Sequence, residues 1–90
     1  MAVTIHIPLI HRHLSEDVET LEVDGKTVEQ CFHQLVQRFP DMQSAIFDEK
    51  GELQNLLEVF LNAESAYPDE LARSTKDGDE IHITTILSGG

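Results

Sequence analysis

Residues 27–40 read TVEQCFHQLVQRFP, and the rest of the chain is best understood from them outward. Val28, Cys31, Phe32, Leu35, Val36 and Phe39 recur at spacings of three and four, which lines apolar side chains along one side of a helix. Thr27 stands where an N-cap belongs, and Gln30, three positions on, suits the reciprocal half of a capping box. Pro40 disfavours helical geometry at the residue before it, so the helix is expected to end near Arg38 or Phe39. A helix with one apolar stripe has to bury that stripe, and the flanking segments offer a sheet for it to lie on.

On the N-terminal side, AVTIHIP (residues 2–8) alternates, with Val3, Ile5 and Ile7 on one side and Thr4 and His6 on the other, the pattern of a half-buried strand. A polar stretch from His11 to Asp17 follows. VETLEV (residues 18–23) gives a second strand, closed by the turn residues Asp24, Gly25 and Lys26. Beyond the helix, SAIFDEKGEL (residues 44–53) reads as a short strand, a turn ending at Gly51 and a return. LEVFLN (residues 57–62) alternates again: Leu57, Val59 and Leu61 share one face and Phe60 joins Glu58 and Asn62 on the other. Residues 63–75 carry a weak pattern and read as loop and turn, with a short helical option from Asp69 to Ser74. Asp77-Gly78-Asp79 makes a tight turn into a final strand from Glu80 to about Thr85, with Ile81 and Ile83 inward and His82 and Thr84 outward.

The expected order is strand, strand, helix, then three strands. One main helix packed across one face of a mixed sheet of four to five strands is the α+β arrangement called β-grasp, or ubiquitin-like. In it the first and last strands lie parallel at the centre. Residues 1–90 read as a single domain with a flexible tail over residues 86–90, and no internal repeat, low-complexity tract or linker interrupts it.

Composition narrows the function. Hydrophobic residues make up 40% of the 90 and charged residues 26%, as in a folded globular chain. Against 6 lysines and arginines stand 17 aspartates and glutamates, a formal charge of −11 that argues against nucleic acid or an anionic membrane as partner and suits either a basic protein surface or the plain solubility of a small domain. No apolar run approaches the roughly 20 residues that cross a bilayer, and the opening MAVTIHIPLIHRHL lacks a signal-peptide layout. A cytoplasmic location is expected.

Few residues offer chemistry of their own. Cys31 falls in the apolar stripe, where packing is the better reading than nucleophilic catalysis. His11 and His13 are two residues apart and His6 and His82 are expected as neighbours on the open sheet face, yet no spaced ligand set is completed, so no metal site is expected. The serines lack a G-x-S-x-G context, and Gly25, Gly51 and Gly78 are isolated turn glycines that do not build a phosphate-cradling loop.

Attention therefore moves to the last residues, ITTILSGG (83–90), apolar through Ile86 and Leu87, then Ser88, Gly89 and Gly90. A terminal carboxylate is ionised at neutral pH and resists nucleophiles until it is joined to a leaving group such as a nucleotide phosphate. A sulfur or amine donor can then attack the Gly90 carbonyl carbon. Glycines lack a Cβ and pass through a narrow channel, and residues 85–90 reach roughly 20 Å when extended. With VTIHIPLIHR, TVEQCFHQLVQRFP, LEVFLN, KDGDEIHIT and the terminal GG, the chain resembles, nearly end to end, the ubiquitin-like sulfur carriers. These include the molybdopterin synthase small subunit and the thiamine-pathway and cysteine-pathway carriers, and the opening and length are most similar to the last.

The resemblance implies that the chain is a carrier or co-substrate and not an enzyme, binding no cofactor itself. Gly90 would be adenylated by an E1-like activating enzyme that uses ATP and magnesium, then converted to a thiocarboxylate with sulfur from a donor and passed to a sulfur-accepting synthase. A metalloprotease-like hydrolase is a further implied partner. Gly89 would share the channel, and Phe60, Ile86, Leu87 and Ser88 would touch partners. Thr85 departs from the family, which often has proline there and so a rigid exit from the strand. Two other readings stand beside this one: a ubiquitin-like modifier joined through Gly90 to lysines, and a plain acidic interaction domain.

Overall fold

The computed structural model describes residues 2–85. Its sheet has five strands, β1 (Val3–His6), β2 (Thr20–Val23), β3 (Leu57–Leu61), β4 (Glu64–Ser65) and β5 (Glu80–Thr85), in the order β2-β1-β5-β3-β4. β1 and β5 run parallel at the centre and every other neighbour pair is antiparallel, which is the expected β-grasp topology. Helix α1 (Val28–Arg38) covers one face. Val28, Cys31, Phe32 and Leu35 on the helix and Val3, Ile5, Val59, Ile81 and Ile83 on the strands are all buried in one core.

The ends of α1 show how the sequence sets it. Thr27 Oγ1 accepts the Gln30 backbone N–H at 3.1 Å, the expected cap. The Gln30 side chain reaches one residue further back than a standard capping box and accepts the Lys26 N–H at 2.8 Å. Val28 N–H is satisfied from across the fold by Arg73 C=O at 2.9 Å, and Thr75 N–H returns a bond to Lys26 C=O at 2.9 Å. Before the helix, a Cβ on Gly25 would stand 2.7 Å from Cys31 Sγ and 2.8 Å from Cys31 N, so only glycine lets this turn lie against the helix.

Four segments differ from the sequence expectation. Leu9–Leu14, in and before the polar stretch, forms a 3-10 helix, and the second strand begins at Thr20 instead of Val18. Ser44–Ile46 is helical, part of the short helix α2 (Gln43–Ile46), because Met42 and Ile46 point into the core at helical spacing. What remains of the expected hairpin is one antiparallel bridge, Phe47 to Leu53, around the turn at Gly51. Glu64 and Ser65 form the edge strand β4, made possible by left-handed backbone at Asn62 and Ala63, which turns the chain back on β3. Glu70–Ala72 takes the short helical option as a 3-10 turn.

Candidate functional site

The site is built around β5, the strand that carries the chain towards its last residues. β5 is bonded to β1 on one side and β3 on the other, and its last described residue, Thr85, pairs opposite Leu57. At the position where a proline would stiffen the exit, regular pairing continues instead, and the ladder supplies that restraint.

The start of β5 is fastened by a polar cluster. Asp79, almost fully buried, accepts the Asn62 side-chain amide at 2.8 Å on one oxygen and the Lys76 N–H at 2.9 Å on the other. Asn62 completes the link by accepting the Glu80 N–H at 2.9 Å on its own Oδ1. The Asn62 amide, followed by the Lys76 N–H and ammonium, holds the Asp79 carboxyl below its ordinary range against the opposing effect of burial. Asn62 stands at φ 53°, where asparagine is tolerated better than most residues.

The sheet face away from α1 carries Thr4, His6, Glu58, Phe60, Glu80, His82 and Thr84. Phe60 sits there as the alternation predicts, across from His82 on β5, but it is half-buried and not a fully exposed docking residue. Alternation alone missed two apolar side chains in loops, Leu56 and Tyr67, which are 56% and 75% exposed. Leu56 immediately precedes the residue that pairs with Thr85, the last described residue of β5. Gly90, Gly89, Ser88, Leu87 and Ile86 lie outside the described residues.

The remaining candidates for chemistry sort clearly. Cys31 is fully buried, and its thiol lies 3.8 Å from Thr75 Oγ1. Thr75 spends its own proton on Gly25 C=O at 2.6 Å, so the thiol is the donor in that contact. Burial raises the Cys31 pKa, outweighing the Thr75 and Gly25 hydrogen bonds that lower it, and the thiol is inert packing as the sequence indicates. The His11 pKa is lowered, first by burial and then by the nearby His13. His33 stacks on Phe47 at 5.1 Å. The expected neighbours His6 and His82 do meet, their rings stacked at 3.9 Å, and Glu80 adds a third polar group that the sequence reading missed, with Oε1 2.7 Å from His6 Nε2. The signal was present in the period-two spacing of Glu80 and His82 on one strand.

Comparison with known proteins agrees with this architecture. The ThiS family model matches residues 5–90. Small archaeal modifier protein 1 of Haloferax volcanii is 35% identical over 71 residues, covering 78% of this chain and 78% of that protein. A chain in the crystal structure of the Amycolatopsis orientalis BexX/CysO complex is 28% identical, with a TM-score of 0.89 over 99% of this chain and 100% of that one. The crystal structure of SAMP1 from Haloferax volcanii is 27% identical, with a TM-score of 0.86 over the whole of both chains, 100% of each. A β-grasp body of this topology and a family match that continues from β1 through Gly90 have one meaning: the chain belongs to the ThiS family of ubiquitin-like sulfur carriers.

Proposed function

We propose that the chain carries sulfur as a thiocarboxylate at Gly90. The observation that supports this most is the family match through residue 90, on a body whose central strand ends five residues earlier, at Thr85. The Gly90 carboxylate attacks the α-phosphorus of ATP in an E1-like activating enzyme, with magnesium balancing the phosphate charge, and pyrophosphate leaves. Hydrosulfide from a sulfur donor then attacks the acyl carbon and AMP departs with one former carboxylate oxygen. Sulfur takes the place of that oxygen, and a sulfur-accepting synthase removes it in turn. Each catalytic step belongs to a partner, and this chain is carrier and co-substrate in the cytoplasm.

Gly89 gives the acyl end its slim profile, while Ile86, Leu87 and Ser88 with Phe60 contact the partner. Leu56, exposed next to the residue that pairs with Thr85, is a further apolar contact for the partner. The charge of −11 steers the chain towards a basic rim on each enzyme. The complex in which the Amycolatopsis orientalis neighbour was solved supports a protein partner as the natural companion of this body.

The test is the intact mass after incubation with a cognate activating enzyme, ATP, magnesium and sulfide. One oxygen replaced by sulfur is expected, located in the C-terminal peptide and absent from a Gly90 deletion; an unchanged mass refutes the proposal. The similarity to a small archaeal modifier protein favours a second use of the same activated end, amide formation with lysines. Lysine peptides bearing a remnant of the tail in cells would establish that use. A metalloprotease-like hydrolase would be the partner that later hydrolyses the carried sulfur free.

A further inference from the structure

His6, Glu80 and His82 each offer one ligand atom, and these atoms all lie within 4.8 Å of one another. We infer that they form a binding site for a divalent transition-metal ion of the zinc class on the open face of the sheet. The site follows from the topology. β1 and β5 are parallel neighbours with His6 directly across from His82, and Glu80, two residues earlier, projects from the same face. Two imidazoles and one carboxylate are brought together by in-register pairing of the two central strands.

The required movement is small. Zinc takes imidazole nitrogen at about 2.0–2.1 Å and carboxylate oxygen at about 2.0–2.2 Å, which places tetrahedral donors roughly 3.4 Å apart. The present 2.7 Å contact between His6 Nε2 and Glu80 Oε1 opens by about 0.7 Å, and the wider separations close by about 1 Å or a little more. The rings are stacked at 3.9 Å with planes 6° apart, so their in-plane lone pairs lie in two nearly parallel planes. They converge on one ion by fanning about the Cβ–Cγ bond, a soft rotation. The proton shared between His6 Nε2 and Glu80 moves through solvent to His6 Nδ1, freeing the Nε2 pair for the metal. Side-chain exposures of 32% for His6 and 54% for Glu80 let an ion enter from water and leave its fourth position open. Nitrogen donors select zinc, copper or nickel over magnesium, which prefers oxygen.

The experiment is titration of the untagged full chain with zinc chloride, followed by calorimetry and by the histidine ring resonances. Binding of one ion with a Kd of about 10 μM or tighter is expected, with the His6 and His82 resonances shifting. Millimolar magnesium should not displace it. His6→Asn and His82→Asn should each weaken binding at least tenfold, and the isosteric Glu80→Gln should do the same without disturbing the fold, whereas His13→Asn should leave it unchanged. Three results overturn the proposal: no binding at 100 μM zinc, binding that survives His6→Asn or Glu80→Gln, or displacement by magnesium, which marks diffuse attraction to the acidic surface.

Discussion

Replacing Asn62 tests the idea that the functional strand is fastened at its start by one side chain. Asn62→Gly keeps the left-handed backbone and deletes two hydrogen bonds, one from the Glu80 N–H and one to the Asp79 carboxylate. A neutral bond contributes about 0.5–1.5 kcal/mol and one to a charged group about 1.5–3 kcal/mol; the lower ends apply because Asn62 itself faces water, giving about 2 kcal/mol. In a domain of this size that lowers Tm by roughly 10 °C. Asn62→Ala costs about 0.5 kcal/mol more, since left-handed strain of about 1–2 kcal/mol is partly offset by glycine's greater freedom when unfolded. The effect also carries a pH signature. The folded Asp79 carboxyl titrates below its ordinary value of 3.8, so its contribution is complete above that pH and disappears as pH falls through the folded value. Urea unfolding followed by circular dichroism at pH 7 and near pH 2.5 reads both effects. The gap between wild type and Asn62→Gly should narrow in acid. A glycine variant within about 0.5 kcal/mol of wild type at pH 7, or a gap that acid leaves unchanged, refutes the reasoning.

Gly25→Ala should destabilise by about 1–3 kcal/mol, because the added methyl meets Cys31 N as well as its flexible sulfur, and Cys31→Ala should rescue it only in part, as measured by urea midpoints. The Cys31 thiol should react with a disulfide reagent at pH 8 at least about 100-fold more slowly than free cysteine, and at the normal rate in denaturant. Thr75→Val leaves Gly25 C=O without its buried partner and should cost about 1–3 kcal/mol in thermal unfolding. Leu56→Asp should raise KM for the activating enzyme about tenfold with little change in Tm, since the side chain is exposed and its neighbour in sequence pairs at the strand exit.

The helix and strands β1, β3 and β5 were legible because each repeats a clear period: three and four over residues 28–39, two over residues 3–7, 57–61 and 80–85. Thr27 and Pro40 even marked the helix ends. Leu9–Leu14 was not legible, since its exposed Leu9 and Ile10 break any amphipathic pattern. Ser44–Ile46 was read as strand because so short a segment gives neither period time to show. Phe60 was placed on the correct face, but its degree of cover depends on neighbours such as His82 that come from distant sequence. The meeting of His6 with His82 was legible from the expected parallel pairing of the first and last strands, whereas Glu80, two residues before His82 on the same face, was passed over.

The central position of β5 has a mechanical meaning as well. An enzyme that, as proposed, grips the acyl end would pull along a strand paired with β3 from Ile81 to Thr85 and with β1 from Glu80 to His82, so the load would be met in shear first by one ladder and then by two. At Ile81 and His82 both edges would have to give together, unlike in an outer ribbon. Under that proposal, tension at the far end would be spread into the body, which would stay folded while its tip is worked on, released and handed to the next enzyme.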